Sequence, residues 1–259
     1  QSRIEFGFKE EGTHSVVPIS RCEIACPAIN RALPQVRRLI ARHQFRHAEE
    51  VIFQTSATTD EVMLTLVFSK HCRLQLKPLI EHFGDYPELS SLFVKNGNKS
   101  KARWIAGKRT IVETLAGISY EIGPETFFQR NMAGLGQVLE IVERHVASVA
   151  PLSCVDAHCG VGTFTLPISR FVQSAIGLDL HCDSVLLARK NMRCNRMRND
   201  KFLVGNLAKL DRFEADLVVL NPPRGGCWPE DIEALKSIDS PHVLYISCNP
   251  TTLARDLLR

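Results

Sequence analysis

Short apolar runs alternate with helical patterns from Ser153 to the end of the chain. This alternation predicts a Rossmann-like, doubly wound α/β fold, in which a parallel sheet carries helices on both faces. The predicted strands lie at residues 154–157, 175–180, 202–204, 216–220 and 242–246. Ligands and reactive groups of such sheets gather outside the carboxyl ends of the strands. We therefore expect the functional residues in the turns that follow these strands.

The first part of the chain has a mixed pattern. Residues 1–20 alternate in the manner of a strand, and residues 26–40 show helical spacing with arginines on the polar face. These are followed by two β-rich runs at 51–53 and 62–68, a helical pattern at 74–83 and a strand pattern at 92–94. We predict a smaller α+β domain at residues 1–110. A second domain, residues 111–259, includes a long amphipathic helix at 132–149.

Charge and cysteine content bear on partners and location. The formal net charge of +4 permits a nucleic acid partner without requiring one. No apolar run reaches the roughly 18 residues of a membrane-spanning helix. Nine irregularly spaced cysteines without a secretory segment favour the cytoplasm, and we expect a monomer. The sequence begins at Gln1 without methionine and stops at Arg259 within a helical pattern, so we expect functional sequence outside it.

A glycine-bearing turn follows the first strand of the alternating region. Gly160 and Gly162 allow the backbone to approach a ligand, and the helix after them is expected to offer free N–H groups. Asp179, at the end of the next strand, can accept both ribose hydroxyls of an adenosine. Thr165 stands where a dinucleotide fingerprint requires a third glycine, so the pattern favours S-adenosylmethionine over NAD. The alternative is a tight βα turn that binds no ligand.

Two prolines stiffen the exit of the fourth strand, in the motif Asn221-Pro222-Pro223-Arg224. The fixed backbone presents the Asn221 side chain and nearby carbonyls as a rigid polar edge. The alternative is a stiff strand exit with no further role. A similar motif of amino-methylating enzymes ends in an aromatic residue that stacks on the base. Arg224 in that place counts against amine chemistry.

Cys248 follows the fifth strand, in the motif Ser247-Cys248-Asn249-Pro250. A buried cysteine is often only a small apolar residue, and we expect this of the other cysteines. Cys248 differs because it lies at a strand's carboxyl end, near Arg224 and ahead of a new helix. A cation and helix N–H groups both stabilise a thiolate, so Cys248 is the candidate nucleophile. Cys159 in the glycine turn is the rival, but the cofactor is expected to fill its site.

Three motifs together resemble the RNA uracil-5-methyltransferase family. They are Asp156-x-x-Cys159-Gly160-x-Gly162, Asn221-Pro222-Pro223-Arg224 and Ser247-Cys248-Asn249-Pro250, and the segment Phe127-Phe128-Gln129-x-Asn131 extends the likeness. Each motif alone is weak, whereas the combination is specific and covers nearly the whole chain. The resemblance implies a doubly wound methyltransferase sheet that uses S-adenosylmethionine. It also implies that the product is 5-methyluridine in 23S ribosomal RNA or transfer RNA.

The resemblance assigns roles to individual residues. It implies that Cys248 is the nucleophile and that Asn206 neighbours the adenine of the cofactor. Further cofactor contacts are expected at Gln129, His158, Gly160, Gly162, Thr163, Asp179 and Asn221. His158 replaces the aromatic residue that is usual in the family, and Thr163 replaces a common asparagine.

Two other family features concern residues beyond these motifs. The family's general-base glutamate lies after the cysteine motif, in a segment that would follow Arg259. Some members also hold an iron–sulfur cluster on four cysteines, and Cys22 resembles the last of these. Because one or two cysteines cannot hold a cubane cluster, Cys22 is expected to be an ordinary core cysteine, and no metal is predicted.

The expected activity is methylation of C5 of a uridine in structured RNA, with 23S ribosomal RNA ahead of transfer RNA. Uracil C5 is a weak nucleophile, which addition of a thiolate to C6 would activate. The base must leave its stack or lie in a loop to reach Cys248. Candidate phosphate contacts, or simply a solvated face, are Arg31, Arg37, Arg38, Lys99, Lys101 and Arg103. The alternatives are an N-methyltransferase and an RNA-binding protein that keeps the fold but turns over poorly.

Overall fold

A computed structural model describes residues 5–13, 15–45, 47–70, 72, 75–210 and 214–259. The chain forms two compact units, which divide between Val112 and Glu113. Among the described residues, no helix combines the length and the apolar character needed to cross a bilayer.

The first unit is an α+β structure built on a four-stranded sheet. Its elements are β1 (Gly7–Lys9), β2 (Val16–Pro18), α1 (Pro27–Arg42), β3 (Ala48–Thr55), β4 (Val62–Phe68), α2 (Lys77–Glu81), β5 (Ser91–Asn96), β6 (Arg103–Gly107) and the first residues of β7 (Ile111–Leu115). β1 and β2 form a hairpin, and the larger sheet has the order β3-β4-β5-β6. Within it β4 and β5 run parallel, while the outer pairs run antiparallel. One buried core joins α1 to this sheet, with Val36 and Leu39 packed among Leu64 and Leu66.

The elements of the first unit differ from the predicted ones at several points. The predicted helix at 74–83 is the shorter α2, which begins with Pro78 in its first turn; residue 74 lies outside the described residues. Strand β6 was not predicted, because it is an edge strand in which only Ile105 and Ala106 are buried. Its sequence therefore lacks the apolar run of an inner strand.

The second unit is a Rossmann-like, doubly wound structure. Its elements are β8 (Ile118–Ile122), α3 (Met132–Val149), β9 (Ser153–Asp156), α4 (Thr165–Ile168), β10 (Ser174–Asp179), α5 (Cys182–Cys194), β11 (Asp200–Val204), β12 (Leu217–Leu220), α6 (Pro229–Ser237), β13 (His242–Tyr245) and α7 (Pro250–Leu257). β8 pairs with β7, and the central sheet has the order β11-β10-β9-β12-β13. All neighbours in the central sheet are parallel. The predicted fold class is confirmed.

The order of the strands sets where functional groups meet. The chain runs outward from β9 through β10 to β11, then returns to add β12 and β13 on the other side of β9. The switch between the two directions lies at β9 and β12, which is where such sheets bind their ligands. β12 is buried on both faces: Leu217 and Val219 contact the core beneath α3, whereas Val218 and Leu220 contact the core beneath α6.

Candidate active site

The glycine turn between β9 and α4 needs both of its glycines. Gly160 has a φ of +56° and Gly162 a φ of +94°, in the left-handed region that favours glycine. A Cβ on Gly162 would lie 3.0 Å from Cγ of Leu166. A Cβ on Gly160 would meet only the Phe127 carbonyl oxygen, at 3.9 Å, so the turn faces open space there. Gly162 therefore serves packing, while Gly160 leaves room for a ligand beside the backbone.

The helix after the glycine turn was expected to offer free N–H groups, but the Leu166 N–H at its start donates to the Gly162 carbonyl at 3.0 Å, and three N–H groups of the turn itself are also occupied. The Gly160 N–H donates to Oδ2 of Asp179 at 3.0 Å. The N–H groups of Gly162 and Thr163 both donate to the Cys159 carbonyl, at 2.8 and 3.2 Å. The following helix α4 has only four residues. A ligand would therefore be recognised here mainly by side chains and shape.

Asp179, at the end of β10, is fixed in orientation. Oδ2 accepts from the Gly160 N–H, and Oδ1 accepts from the His181 N–H at 2.7 Å. The side chain is half-buried, and each oxygen keeps a second lone pair for a hydroxyl donor. The structure thus brings Asp179 and Gly160 together at the carboxyl edge of the sheet.

Asp156 stabilises the same turn from inside the protein. Its carboxylate is fully buried and accepts hydrogen bonds from the Thr165 hydroxyl at 2.7 Å and the His158 N–H at 3.3 Å. Burial raises the pKa of Asp156 to about 6, although the Thr165 and His158 hydrogen bonds oppose that shift. The sequence motif contained this residue without giving it a role.

His158 and Leu207, the residue after Asn206, come close to a residue that the sequence did not single out, Asp231. Nε2 of His158 lies 4.0 Å from Oδ2 of Asp231, which is too long for a hydrogen bond. The N–H of Leu207, next to Asn206, donates to Oδ1 of Asp231 at 3.1 Å. Burial lowers the pKa of His158 and raises the pKa of Asp231. Nδ1 of His158 and Oδ2 of Asp231 are buried and lack hydrogen-bond partners among the described residues.

Gln129 lies in the loop between β8 and α3, which runs close to the glycine turn. The Tyr120 hydroxyl donates to the Thr163 carbonyl at 3.3 Å, and its ring lies 5.4 Å from the Phe128 ring. Burial raises the pKa of Tyr120 well above its ordinary value, so the hydroxyl remains a donor. Gln129 is half-buried, and Thr163 is buried. This contact holds the loop that carries Gln129 beside the turn.

Asn221 and the cysteine motif leave neighbouring strands at one edge of the sheet. Leu220 is paired with Tyr245, and the Ile246 N–H donates to the Leu220 carbonyl at 2.8 Å. Asn221 comes next on one strand, and Cys248 follows three residues after Tyr245 on the other. The Asn221 and Cys248 motifs therefore lie at the same edge of the sheet, as predicted from the sequence.

The two cysteines that compete for the nucleophile role differ sharply in environment. Cys248 is exposed, whereas Cys159 is 1% exposed. Burial, reinforced by Asp156 and Asp179, raises the pKa of Cys159 well above its ordinary value. A thiol in that state is a poor nucleophile, so the geometry favours Cys248.

Next to Cys248, the Asn249 side chain connects two loops. Its oxygen accepts from the Thr251 N–H at 3.1 Å and caps α7, and its amide nitrogen donates to the Arg224 carbonyl at 3.2 Å. The Asn221–Arg224 motif and the cysteine motif are therefore in direct contact.

Several of the basic residues proposed for phosphate contact have partners inside the first unit. Arg31 forms ion pairs with Asp60 and Glu88. Arg37 lies over the Phe6 ring and Arg38 over the Tyr86 ring, with guanidinium-to-centroid distances of 5.6 and 5.8 Å. Lys99 and Arg103 lie on the surface around the turn between β5 and β6. The candidate phosphate-binding surface of the first unit is therefore centred on that turn.

Cys22 does not take part in a metal site among the described residues. It is a half-buried free thiol whose N–H donates to the Asn30 side chain at 2.9 Å. In the part of the chain that the structure describes, no group of three or more His, Cys, Asp or Glu side chains is arranged to hold a metal.

The fold and the site define a Rossmann-like, doubly wound α/β protein, with a glycine turn after the central strand and an acidic residue after its neighbour. The chain belongs to the tRNA (uracil-5-)-methyltransferase family, whose model matches residues 4–205 and 200–259. The family resemblance predicted from the motifs is thereby confirmed.

Individual proteins that resemble this chain are RNA methyltransferases by name. An uncharacterized RNA methyltransferase of Gloeobacter violaceus is 32% identical over 271 residues, and one of Nostoc sp. is 31% identical over 275 residues. Both alignments cover 98% of this chain but only 59% and 60% of the relatives, so the chain spans about three fifths of their length. Among solved structures, the Pyrococcus abyssi tRNA (uracil-54, C5)-methyltransferase, in complex with S-adenosyl-L-homocysteine, shares the fold with a TM-score of 0.80. It is 24% identical, and the match covers 98% of this chain and 66% of that one.

Proposed function

We propose that this chain forms the cofactor-binding and catalytic region of an RNA (uracil-5-)-methyltransferase that acts through a covalent adduct on Cys248. One observation supports this most strongly. β9, β12 and β13 are neighbours in the sheet, so the glycine turn, Asn221 and the exposed Cys248 follow strands that end at one edge. A methyl donor and a nucleophile for the base would then lie side by side.

The residues around the glycine turn fit S-adenosylmethionine. Gly160 leaves open space beside the backbone, and the fixed Asp179 can accept ribose hydroxyls. The buried polar atoms of His158 and Asp231 that lack partners among the described residues would be satisfied by the polar edge of an adenine near Asn206. Gln129, Gly162, Thr163 and Asn221 would complete the site. When bound, S-adenosylmethionine supplies an electrophilic methyl group to C5 of the uracil.

Cys248 supplies the covalent chemistry on the base. Its thiolate forms a C–S bond to C6, and the C5–C6 electron pair moves into an enolate, which makes C5 nucleophilic. After methylation, the proton on C5 leaves to a base, a role that the resemblance gives to a glutamate C-terminal to the cysteine motif. The C–S bond then breaks, the C5–C6 double bond forms again, and Cys248 returns as a thiolate.

We propose that residues 1–110 recognise the RNA and that residues 111–259 carry out the chemistry, in a monomeric cytoplasmic protein. The surface turn with Lys99 and Arg103 supports a phosphate-binding role for the first unit. The preference for 23S ribosomal RNA over transfer RNA stays a prediction from the sequence. The family and the P. abyssi protein are named for transfer RNA, whereas the sequence motifs lead us to favour 23S ribosomal RNA. Both RNAs are therefore tested.

Identification of the methylated nucleoside tests the proposal. The full-length protein is incubated with methyl-labelled S-adenosylmethionine and unmodified transcripts of 23S ribosomal RNA or transfer RNA, and the RNA is digested to nucleosides. We expect label in 5-methyluridine from one transcript. Label on an exocyclic amine would instead establish the N-methyltransferase alternative, and RNA binding without label would support the RNA-binding alternative.

A further inference from the structure

The carboxylate of Asp256 on α7 lies at the centre of a hydrogen-bond network behind the cysteine motif. It is 5% exposed. Oδ2 accepts from the Tyr245 hydroxyl at 2.7 Å and from the Cys227 N–H at 2.8 Å. Oδ1 accepts from Nε and Nη2 of Arg255, at 2.9 and 2.7 Å. One buried group thus connects the last residue of β13, the loop after β12 and helix α7.

The Asp256 carboxylate keeps its negative charge, and the groups around it keep the protons that they donate to it. Burial alone would raise the pKa of Asp256, but hydrogen bonds from Tyr245, Cys227 and Arg255 hold it below its ordinary value. Burial raises the pKa of Tyr245 far above its ordinary value, and the bond to Asp256 raises it further, so the hydroxyl donates at any working pH. A buried carboxylate is costly unless donors satisfy it, and this one is well satisfied.

Gly226 allows the loop after β12 to approach α7 this closely. Its φ is +81°, and a Cβ there would lie 2.4 Å from Nη2 of Arg255 and 2.5 Å from Oδ2 of Asp256. Around it, Nη2 of Arg255 donates to the Gly225 carbonyl at 2.8 Å, and the Asn249 amide donates to the Arg224 carbonyl. The loop is therefore docked on α7 through its backbone, and a side chain at 226 would strain that backbone and displace the Arg255 and Asp256 groups that hold it.

This docking joins two segments with different parts in the proposed reaction. The loop after β12 begins with Asn221, on the cofactor side, and α7 begins two residues after Cys248. A shift of α7 against the loop would change the distance from the thiol to the site of methyl transfer. A misplacement of about 1 Å can reduce a rate by about 100-fold.

We propose that Asp256 is a positioning residue, which locks the Asn221–Cys227 loop to α7 and thereby holds Cys248 at its working distance from the bound methyl donor. This inference rests on the proposed function. The carboxylate of Asp256 is already bound by Tyr245, Cys227 and Arg255, so its effect on the reaction passes through the backbone around Cys248.

Two variants test the role. Tyr245→Phe removes one donor without changing the shape of the side chain, and Asp256→Asn removes the charge. We expect kcat for methyl transfer and the rate of adduct formation with 5-fluorouridine RNA to fall by about 10- to 100-fold. KM for RNA and Kd for S-adenosylmethionine should stay within about twofold, because neither binding surface changes. Glu233→Gln, the same chemical change on the exposed face of α6, is the matched control and should retain the wild-type rate.

The outcomes separate this inference from the function on which it depends. If both variants fold and keep the wild-type kcat while only the melting temperature falls, Asp256 is merely structural and the inference is wrong. If Asp256→Asn does not fold, Tyr245→Phe alone decides: a wild-type kcat with a lowered melting temperature shows that the inference is wrong, and a reduced kcat supports it. If the wild-type protein forms neither adduct nor 5-methyluridine, the proposed function fails and this inference fails with it.

Discussion

The Asp179 carboxylate accepts a hydrogen bond from the Gly160 N–H at 3.0 Å, which ties the end of β10 to the turn after β9. The acid and the glycine are 19 residues apart in the sequence and come from adjacent parallel strands. Any ligand that uses the acid therefore also lies against the turn. In the proposed function this ligand is S-adenosylmethionine.

Asp179→Ala should weaken binding of S-adenosylmethionine by about 1–3 kcal/mol, because the ribose hydroxyls would lose a charged acceptor. Isothermal titration calorimetry measures the effect. Asp239→Ala, an exposed acid ahead of β13 at the opposite end of the sheet, is the control and should bind normally. An unchanged affinity in folded Asp179→Ala would reject the assignment.

The buried Asp156 predicts a pH dependence of stability. Its pKa is raised from 3.8 to about 6 by burial, so the folded state holds a proton that the unfolded state has already lost. This contribution to stability is present at low pH and is lost as the pH rises from about 4 to about 6, by an amount on the order of 1–3 kcal/mol.

Asp156→Asn cannot titrate and provides the comparison. The free energy of unfolding in urea, measured for both proteins from pH 4 to pH 7, should show the wild type losing stability relative to the variant as the pH rises. Taking the difference between the two proteins cancels other groups such as Asp200, whose pKa burial also raises to about 6. Parallel curves would mean that Asp156 is ionised throughout.

Neutralising Lys99 and Arg103 together should weaken RNA binding and reduce the salt dependence of the affinity. The logarithm of the affinity falls as the logarithm of the salt concentration rises, and each lost phosphate contact makes that slope shallower by about 0.9 or less. Arg31→Gln is the control, because its guanidinium already pairs with Asp60 and Glu88. Filter binding over a series of salt concentrations gives the affinity and its salt dependence. If only the control variant makes the slope shallower, the RNA surface includes α1 rather than the turn between β5 and β6.

The sequence predicted the second unit well because its strands are local features. Strands such as Leu217–Leu220 are buried on both faces and stand out as short apolar runs between helices. The turns after parallel strands meet at one edge, so the order of motifs along the chain was enough to bring Gly160, Asp179, Asn221 and Cys248 to that edge. The helix at 132–149 was predicted to the residue, since its apolar spacing is regular and Asn131 caps it.

The sequence could not predict the contacts that depend on packing between distant segments. Asp231 lies in the first turn of α6, where an acid is ordinary, and nothing local indicates that it faces His158. Asp256 likewise looks like any charged residue of a helix until Gly226 and Tyr245 are brought against it. The helix after the glycine turn was expected to offer free N–H groups, because the partners of these amides and of those in the turn, such as Asp179 and the carbonyls of Cys159 and Gly162, come into place only in the folded chain.

The most direct test of the account is a covalent trap at Cys248. With 5-fluorouridine in the target RNA, the fluorine at C5 cannot leave as a proton does, so the enzyme should stall as an adduct between Cys248 and C6. Wild-type protein, and Cys194→Ala as a matched change of an exposed cysteine, should both give a band that survives denaturation and a peptide of increased mass containing Cys248. Cys248→Ala should bind RNA and S-adenosylmethionine normally, form no adduct and transfer no methyl group. Methyl transfer by Cys248→Ala at the wild-type rate would contradict the account.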